Sequence, residues 1–407
     1  MSNLTQYQVD HLFLLIGGNP LPNYVAAKTL LKPGGVPYFV YSSATETHAN
    51  ALRDILNANN ATSMIPLQDE SDAFCIQKAI QETLKTIGET ERVGLNYTGG
   101  KKVMSVHAYQ SVKKERADVV CSYLDPDTFQ IRIETQQRSV PIDLMTDEVR
   151  AMIGMSFETL WKLHSIELNP KKSPPHSTPI LPDVAMAIAH HFAEGEDKVN
   201  QWKKWANTLG GSSSLDTCPF EDVRQALQSH SPTITTMQEL KDAYFSESTD
   251  KDPAKKWLDG GWLEDYVLNV LTRIAQDLGL GTPLCNIQAI AKNKSEQYHF
   301  EVDVAILRGH QLFVFSCTTK KDRKDRKLRL FEASLRARQL GGDEARFALV
   351  CTSDCKENDE NDPPLEYEMG SLLPNRNIFH VFYRANLENL ERHIKEWIKK
   401  VDRDVQR

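Results

Sequence analysis

The residues with most chemical potential lie late in the chain. Glu301 and Asp303 stand two apart in the apolar run Phe300–Leu307, a spacing that puts both carboxylates on one face of a strand. Gly309-His310 then turns the chain, and Leu312–Thr318 supplies the second strand of a hairpin. Carboxylates held beside a polar group on an adjoining strand can bind a divalent metal, which polarises a phosphate and activates water. Lys320 follows two residues after Thr318, and strand alternation puts it on the same side. Its long stem lets the ammonium reach back toward a phosphate. A third carboxylate, Glu264, lies beside Asp265 on the polar side of a helix predicted over Lys256–Leu278, whose Leu263, Tyr266, Val267, Val270, Leu271 and Ile274 recur at helical steps. The wet face of an ordinary hairpin and a solvated helix accommodate the same spacings.

A charge cluster follows this hairpin directly. From Lys320 to Arg338 there are nine basic residues (Lys320, Lys321, Arg323, Lys324, Arg326, Lys327, Arg329, Arg336, Arg338) against Asp322, Asp325 and Glu332. Nine minus three gives a local +6 in a chain of net charge -7. Phosphate attraction is the simplest use of such an inversion, and Lys321, Arg323, Lys324, Arg326 and Lys327 are the candidate nucleic-acid contacts.

Two glycine turns near the start carry a different chemistry. Gly17-Gly18-Asn19-Pro20 follows the apolar run His11–Ile16, and Thr98-Gly99-Gly100-Lys101-Lys102 follows Arg92–Tyr97 and leads into a helix. Glycine lets a backbone approach a phosphate, a helix start offers free N–H groups, and the lysines add full charge. Tyr41-Ser42-Ser43, ending another strand, supplies hydroxyls to the same rim. Neither GxGxxG nor GxxxxGK[ST] is present, which disfavours standard dinucleotide and P-loop sites.

The elements that position these groups fall into three parts. Residues 1–145 alternate strands (11–16, 38–41, 92–97) with helices (23–31, 45–56, 103–113) and end in a hairpin at Cys121–Leu124 and Phe129–Glu134, the pattern of a doubly wound parallel sheet. Residues 146–250 read as a helical connector or insert, with a Pro/Ser-rich linker at Asn169–Pro182 and an amphipathic helix over Val184–Leu209. Residues 251–407 form a second α/β domain, which continues past the hairpin with a helix over Leu328–Leu340, strands at Phe347–Cys351 and Asn377–Tyr383, a turn-rich acidic loop over 354–375, and a closing helix over Leu387–Val401.

Bulk properties exclude other classes. The 407 residues are 40% hydrophobic and 25% charged, ordinary globular usage, and the acidic balance rules out a uniformly basic coat protein. No apolar run approaches the roughly 18 residues a membrane span needs, and no basic n-region precedes His11–Ile16, so a cytoplasmic location without membrane contact is expected. The seven cysteines are scattered, with no second pair near Cys351 and Cys355, so reduced thiols rather than a zinc ribbon are expected.

Together these residues resemble a known family. NYTGGKKVMS at Asn96–Ser105 is similar to the CARF domain, the sensor of cyclic oligoadenylates in type III CRISPR defence. GGWLEDYV at Gly260–Val267, FEVDVAILRGHQLFVFSCTTK at Phe300–Lys320, and RARQLGG at Arg336–Gly342 before FALV resemble the restriction-endonuclease-like domain of the CARF-nuclease effectors. The likeness spans some 300 residues and is weak over 150–250. It implies a Rossmann-like CARF domain followed by a PD-(D/E)xK-type nuclease domain, and a homodimer clasping one cyclic oligoadenylate, commonly cyclic tetra-adenylate. It further implies DNA or RNA cleavage with Mn²⁺ or Mg²⁺. Carried over by motif, Asp303 and Glu264 are metal ligands. Ser316 stands where the family often has an acid and Thr318 where it has a lysine. Glu301 and Lys320 are the residues that would replace them. Two rivals remain at this point: a nucleotide sensor with a degenerate nuclease fold that only binds nucleic acid or a partner, and an enzyme that cleaves its own cyclic ligand at the sensor rim.

Overall fold

The computed structural model describes residues 4–57, 63–135, 138–230, 234–292, 297–354, 364–372 and 378–405. The first apolar run becomes β1 (Val9–Leu15), an interior strand of a seven-stranded sheet. β2 (Leu31–Tyr41), β3 (Met64–Pro66), β4 (Val93–Asn96) and β5 (Val120–Asp125) extend it in parallel, while β6 (Gln130–Glu134) and β7 (Ser139–Asp143) close one edge antiparallel. The order is β3-β2-β1-β4-β5-β6-β7. Leu12 to Leu15 are all buried, which a parallel strand covered on both faces requires. The sequence did not signal β3 or β7. Both are edge strands containing a proline, Pro66 and Pro141, which an edge tolerates because no neighbour needs its N–H. The chain leaves β1 for β2 on one side and returns to β4 on the other. The crevice beyond the carboxyl ends of β1 and β4 is therefore the switch point where open α/β sheets take ligands.

The second sheet has the order β13-β12-β11-β10-β9-β8, built from β8 (Ile166–Leu168), β9 (Leu284–Lys292), β10 (Gln297–Arg308), β11 (Gln311–Thr318), β12 (Arg346–Cys351) and β13 (Phe379–Phe382). β10 and β11 form the expected hairpin, Val304 opposite Phe315 through Arg308 opposite Gln311. β11, β12 and β13 run parallel, and β12 is buried throughout. The helix Arg323–Gly341 packs over β11 and β12. Asp322 caps its start by accepting from the Lys324 N–H, and Gly342 ends it in the left-handed region at φ 66°. One apolar core runs continuously from Leu14 and Val25 of the first domain, through Leu160 and Leu163, to Leu340 and Phe347 of the second. The opposite face of the second sheet shares a core with the intervening helices, where Phe192 meets both Trp202 and Trp262.

Several sequence expectations need correction. The long helix expected over Val184–Leu209 is two, Pro182–Glu194 and Glu196–Thr208, parted at an extended Gly195. The helix expected over Lys256–Leu278 is a short turn Pro253–Lys256, a π-helical turn Trp257–Gly261 and the helix Trp262–Ile274, the wide turn falling on the Gly260-Gly261 pair. Within the expected acidic loop 354–375, Leu365–Leu372 is helical, and residues 355–363 and 373–375 lie outside the described residues. Asn377, expected to open the last strand, also lies outside them.

Candidate functional site

The hairpin and the helix Trp262–Ile274 bring three carboxylates together. Asp303 is 5% exposed, and its Oδ2 accepts the Cys317 backbone N–H at 2.7 Å and the Ser316 hydroxyl at 3.0 Å. Its other oxygen faces the Arg329 guanidinium at 3.8 Å. Val302 packs with Ala305 and Leu307 on one face while Val304 packs with Ile306 on the other, so the strand's alternation slips by one residue at Asp303. The neighbouring strand slips at the same level, at Asn286, whose φ is 57°. This paired irregularity buries Asp303 while Glu301, two residues earlier, remains exposed.

The electrostatics of the three groups are linked. Glu264 is raised well above the ordinary carboxylate range, first by burial, then by the charges of Asp303 and Glu301. Burial also raises Asp303, against the lowering effect of the Cys317 N–H, Arg329 and the Ser316 hydroxyl. Glu301 is raised by partial burial of its carboxyl and by Asp303. Lys256 and Arg329 oppose this at both Glu264 and Glu301, and Lys172 joins them at Glu301. Carboxylates crowded until they favour their protonated forms accommodate a hard cation. Glu264 and Asp303 are the residues that would hold Mg²⁺ or Mn²⁺, a hard cation that takes few protein oxygens and completes its shell with water and phosphate oxygens. Among the described residues, no group of three or more His, Cys, Asp or Glu side chains lies close enough to hold a metal alone.

The basic residues are distributed differently from the expectation. Lys320 follows the end of β11, its ammonium pairs with Asp325 at 3.3 Å, and it does not line the cleft beside Asp303. That cleft is lined instead by Arg329 and Arg336 with Glu332. Sequence reading missed Arg329 because it counted only as one member of a charge run. Arg326, read as a nucleic-acid contact, is 2% exposed. Positions 326, 330, 333, 337 and 340 follow helical steps of three and four and form the buried stripe of their helix, so Arg326 points into the protein. Lys321 pairs with Glu196, and Arg323 and Lys327 reach Glu368. Lys324 is exposed.

At the switch point the two glycine turns lie against each other. A side chain on Gly17 would meet the Gly100 backbone nitrogen at 2.9 Å, and one on Gly99 would collide with the Leu15 carbonyl. They frame a cavity of 400 Å³ lined by Gly17, Gly18, Asn19, Thr98, Gly99 and Gly100 from the first domain, with Tyr123 and Pro126 beyond them. Buried Asn23 supports this floor, its Nδ2 donating to the Leu15 carbonyl at 2.9 Å while its Oδ1 has no partner among the described residues. Lys101 stands at the rim, 54% exposed, paired with Glu70 at 2.7 Å. Glu70 is held below its ordinary value first by Lys101 and then by Ser42, which ties the end of β2 to the lysine turn. Glu70 was not foreseen, having no motif around it. Pro20, Tyr41, Ser42, Ser43 and Lys102 do not line the cavity.

A doubly wound sheet with a glycine-lined crevice is joined to a mixed sheet with carboxylates clustered on a hairpin and its neighbouring helix, a two-domain α/β architecture. Residues 251–361 match the family described as Card1-like, endonuclease domain. Over 96% of this chain and 98% of the other, the fold is similar to protein VC1899 from Vibrio cholerae, with a TM-score of 0.70 at 17% identity. It is also similar to Can2 from Sulfobacillus thermosulfidooxidans, solved in complex with cyclic tetra-adenylate, with a TM-score of 0.68, 16% identity, and 96% and 99% of the two chains covered. A type III CRISPR defence DNA nuclease activated by cyclic oligoadenylate aligns with a TM-score of 0.51 at 15% identity, over 91% of this chain and 53% of that one. No curated protein matches the sequence. The resemblance to the CARF-nuclease effectors read from the sequence is borne out, and these structural likenesses are likenesses of fold. No helix among the described residues is long and apolar enough to cross a membrane.

Proposed function

We propose that the chain is an endonuclease switched on by a cyclic oligoadenylate, cyclic tetra-adenylate foremost, bound at the switch-point crevice. The observation that carries this is the convergence of Glu264, Glu301 and Asp303 within the segment matching the endonuclease family. In this reading Glu264 and Asp303 hold one Mg²⁺ or Mn²⁺, which supplies Lewis-acid polarisation of the scissile phosphate and a more acidic water. The Cys317 N–H and the Ser316 hydroxyl fix the Asp303 carboxylate in one orientation. Arg329, 41% exposed and in the same cleft, offers the fixed positive charge that Thr318 cannot. Exposed Lys324 and the neighbouring lysines draw the DNA or RNA backbone toward the cleft. At the sensor rim, Lys101 exchanges Glu70 for a ligand phosphate. A homodimer presents this rim twice about a two-fold axis, which suits a ring of repeating phosphates.

One observation favours the second reading, a sensor with a nuclease fold that only binds nucleic acid or a partner. Serine stands where the family pattern has an acid, and its hydroxyl satisfies the Asp303 oxygen that a cation would otherwise take. Plasmid and single-stranded RNA incubated with purified protein, Mn²⁺ and cyclic tetra-adenylate separate the two. Cutting only when both additions are present supports the first. Tight ring binding with no cutting under any metal establishes the second. Light scattering should give a dimer of the 46.1 kDa chain before ligand is added.

A further inference from the structure

The cavity at the sensor rim is not built by the sensor alone. Its opposite wall is Arg338, Gly341, Gly342, Asp343 and Glu344, the end of the helix Arg323–Gly341 and the turn that follows it in the endonuclease domain. The fit is close. Gly342 sits at φ 66°, and any side chain there would collide with the Asn19 amide. A second contact joins the same two elements: His48 reaches the Gly17 carbonyl at 3.2 Å, its ring packs edge-on to His164 at 6.4 Å, and His164 hydrogen-bonds the Leu340 backbone.

Resting on the reading of this rim as the cyclic oligoadenylate site, we propose that the activator pocket is shared by both domains, with Arg338 taking a phosphate of the bound ring.

The charges favour it. Arg338 is 54% exposed and, among the described residues, pairs with Asp343 at 2.8 Å, itself 68% exposed. Such a surface pair is weak, so a phosphate able to accept two guanidinium N–H groups displaces it easily. Glu344, the other acid on this wall, is buried and already paired with His310 at 2.8 Å. The remaining lining offers glycine backbone, the Asn19 amide and the Thr98 and Tyr123 hydroxyls, and Lys101 stands just outside, so among the described residues Arg338 is the full positive charge lining the cavity. The consequence is mechanical. The helix that carries Arg338 in its last turn is the one that presents Arg329 to Asp303. The two arginines are nine residues apart (338 minus 329), about 14 Å along one rigid helix. A ligand that grips one end acts on the helix at the catalytic cleft without a relay through the connector.

Titration of the full chain with cyclic tetra-adenylate tests this, using the parent, R338A, R338K and D343N. R338A should bind at least tenfold more weakly, R338K between the two, and D343N several-fold more tightly because Arg338 is released. Melting temperatures without ligand should agree, since the exchanged pair is exposed. At saturating ring, R338A should also cut plasmid more slowly than the parent. A parent that binds while R338A and D343N match its affinity overturns the shared pocket and leaves the sensor reading intact. Full cutting by saturated R338A overturns the action on the helix. A parent that binds no cyclic oligoadenylate overturns the sensor reading, and this inference with it.

Discussion

Replacing Glu264 by Gln should abolish cutting while making the metal-free protein more stable. The side chain keeps its shape and loses only its charge. Losing one of two carboxylates that hold the cation should reduce cutting by roughly a hundredfold or more, on the order of 3 kcal/mol of transition-state stabilisation. Stability moves the other way. Burial, Asp303 and Glu301 raise Glu264 well above its ordinary value, so the folded chain holds that proton after the unfolded chain has released it. The unfolded state then binds fewer protons, and stability falls as pH rises from about 4.3 up to the raised folded value. Each unit of elevation costs the fold about 1.4 kcal/mol above both values. Each kcal/mol regained should move the midpoint by about 2–4 °C in a domain of this size. The assay is thermal unfolding of parent and E264Q in chelator between pH 4 and 8, beside plasmid cutting with Mn²⁺. The parent curve should decline toward pH 8 and the E264Q curve should stay flatter and higher. An E264Q protein that melts lower than the parent at pH 8 would show that no charge repulsion is stored there. One that cuts at the parent rate would remove Glu264 from the site.

Other consequences can be checked in the same preparations. Asp303→Asn should lose cutting by about a hundredfold while ring binding at the distant rim is unchanged, and parental cutting would dismiss Asp303 as a ligand. Lys101→Ala should weaken ring binding by the roughly 1.5–3 kcal/mol of a charge-assisted bond, and Glu70→Gln should strengthen it by freeing the lysine, both read by calorimetry. His380, pushed down to about 4 chiefly by burial, lies between Phe382 and Trp397 and is neutral in the fold. The unfolded chain takes up that proton near pH 6.5, so stability should fall as pH drops from about 6.5 toward 4, by at most roughly 3 kcal/mol. His380→Phe should flatten that acid limb, and an unchanged slope would place the titration elsewhere.

Much of this was legible because the responsible signals are local. The run FLL before Gly17-Gly18, the turn TGGKK and the hairpin around Gly309-His310 each carry their own pattern, and all fold as read. What escaped depends on partners distant in the chain. β9 and β8 pair across more than a hundred residues, and the three residues of β8 show no alternation by themselves. The slip at Asp303 arises jointly with Asn286 on the neighbouring strand, so spacing alone placed Glu301 and Asp303 on one face and could not tell that only the second is buried. Lys320 was assigned by extending strand alternation past Thr318, where the strand stops and a helix cap begins. Arg326 was counted by charge in a helix whose buried stripe runs through it.

The position of β8 bears on how the protein can be divided and made. The segment matching the endonuclease family starts at residue 251, yet its sheet takes its last strand from residues 166–168, ahead of the intervening helices. A fragment beginning at 251 would leave β9 as an open edge, with unpaired N–H and C=O groups ready to template another chain. During synthesis Ile166–Leu168 emerges more than a hundred residues before the strand it must pair with. Closure of that edge is therefore a late, long-range event, slow by the cost of closing so large a loop. The sheet is completed only when the segment leaving the sensor has docked, so a chain with a disordered sensor exit has an incomplete nuclease sheet as well.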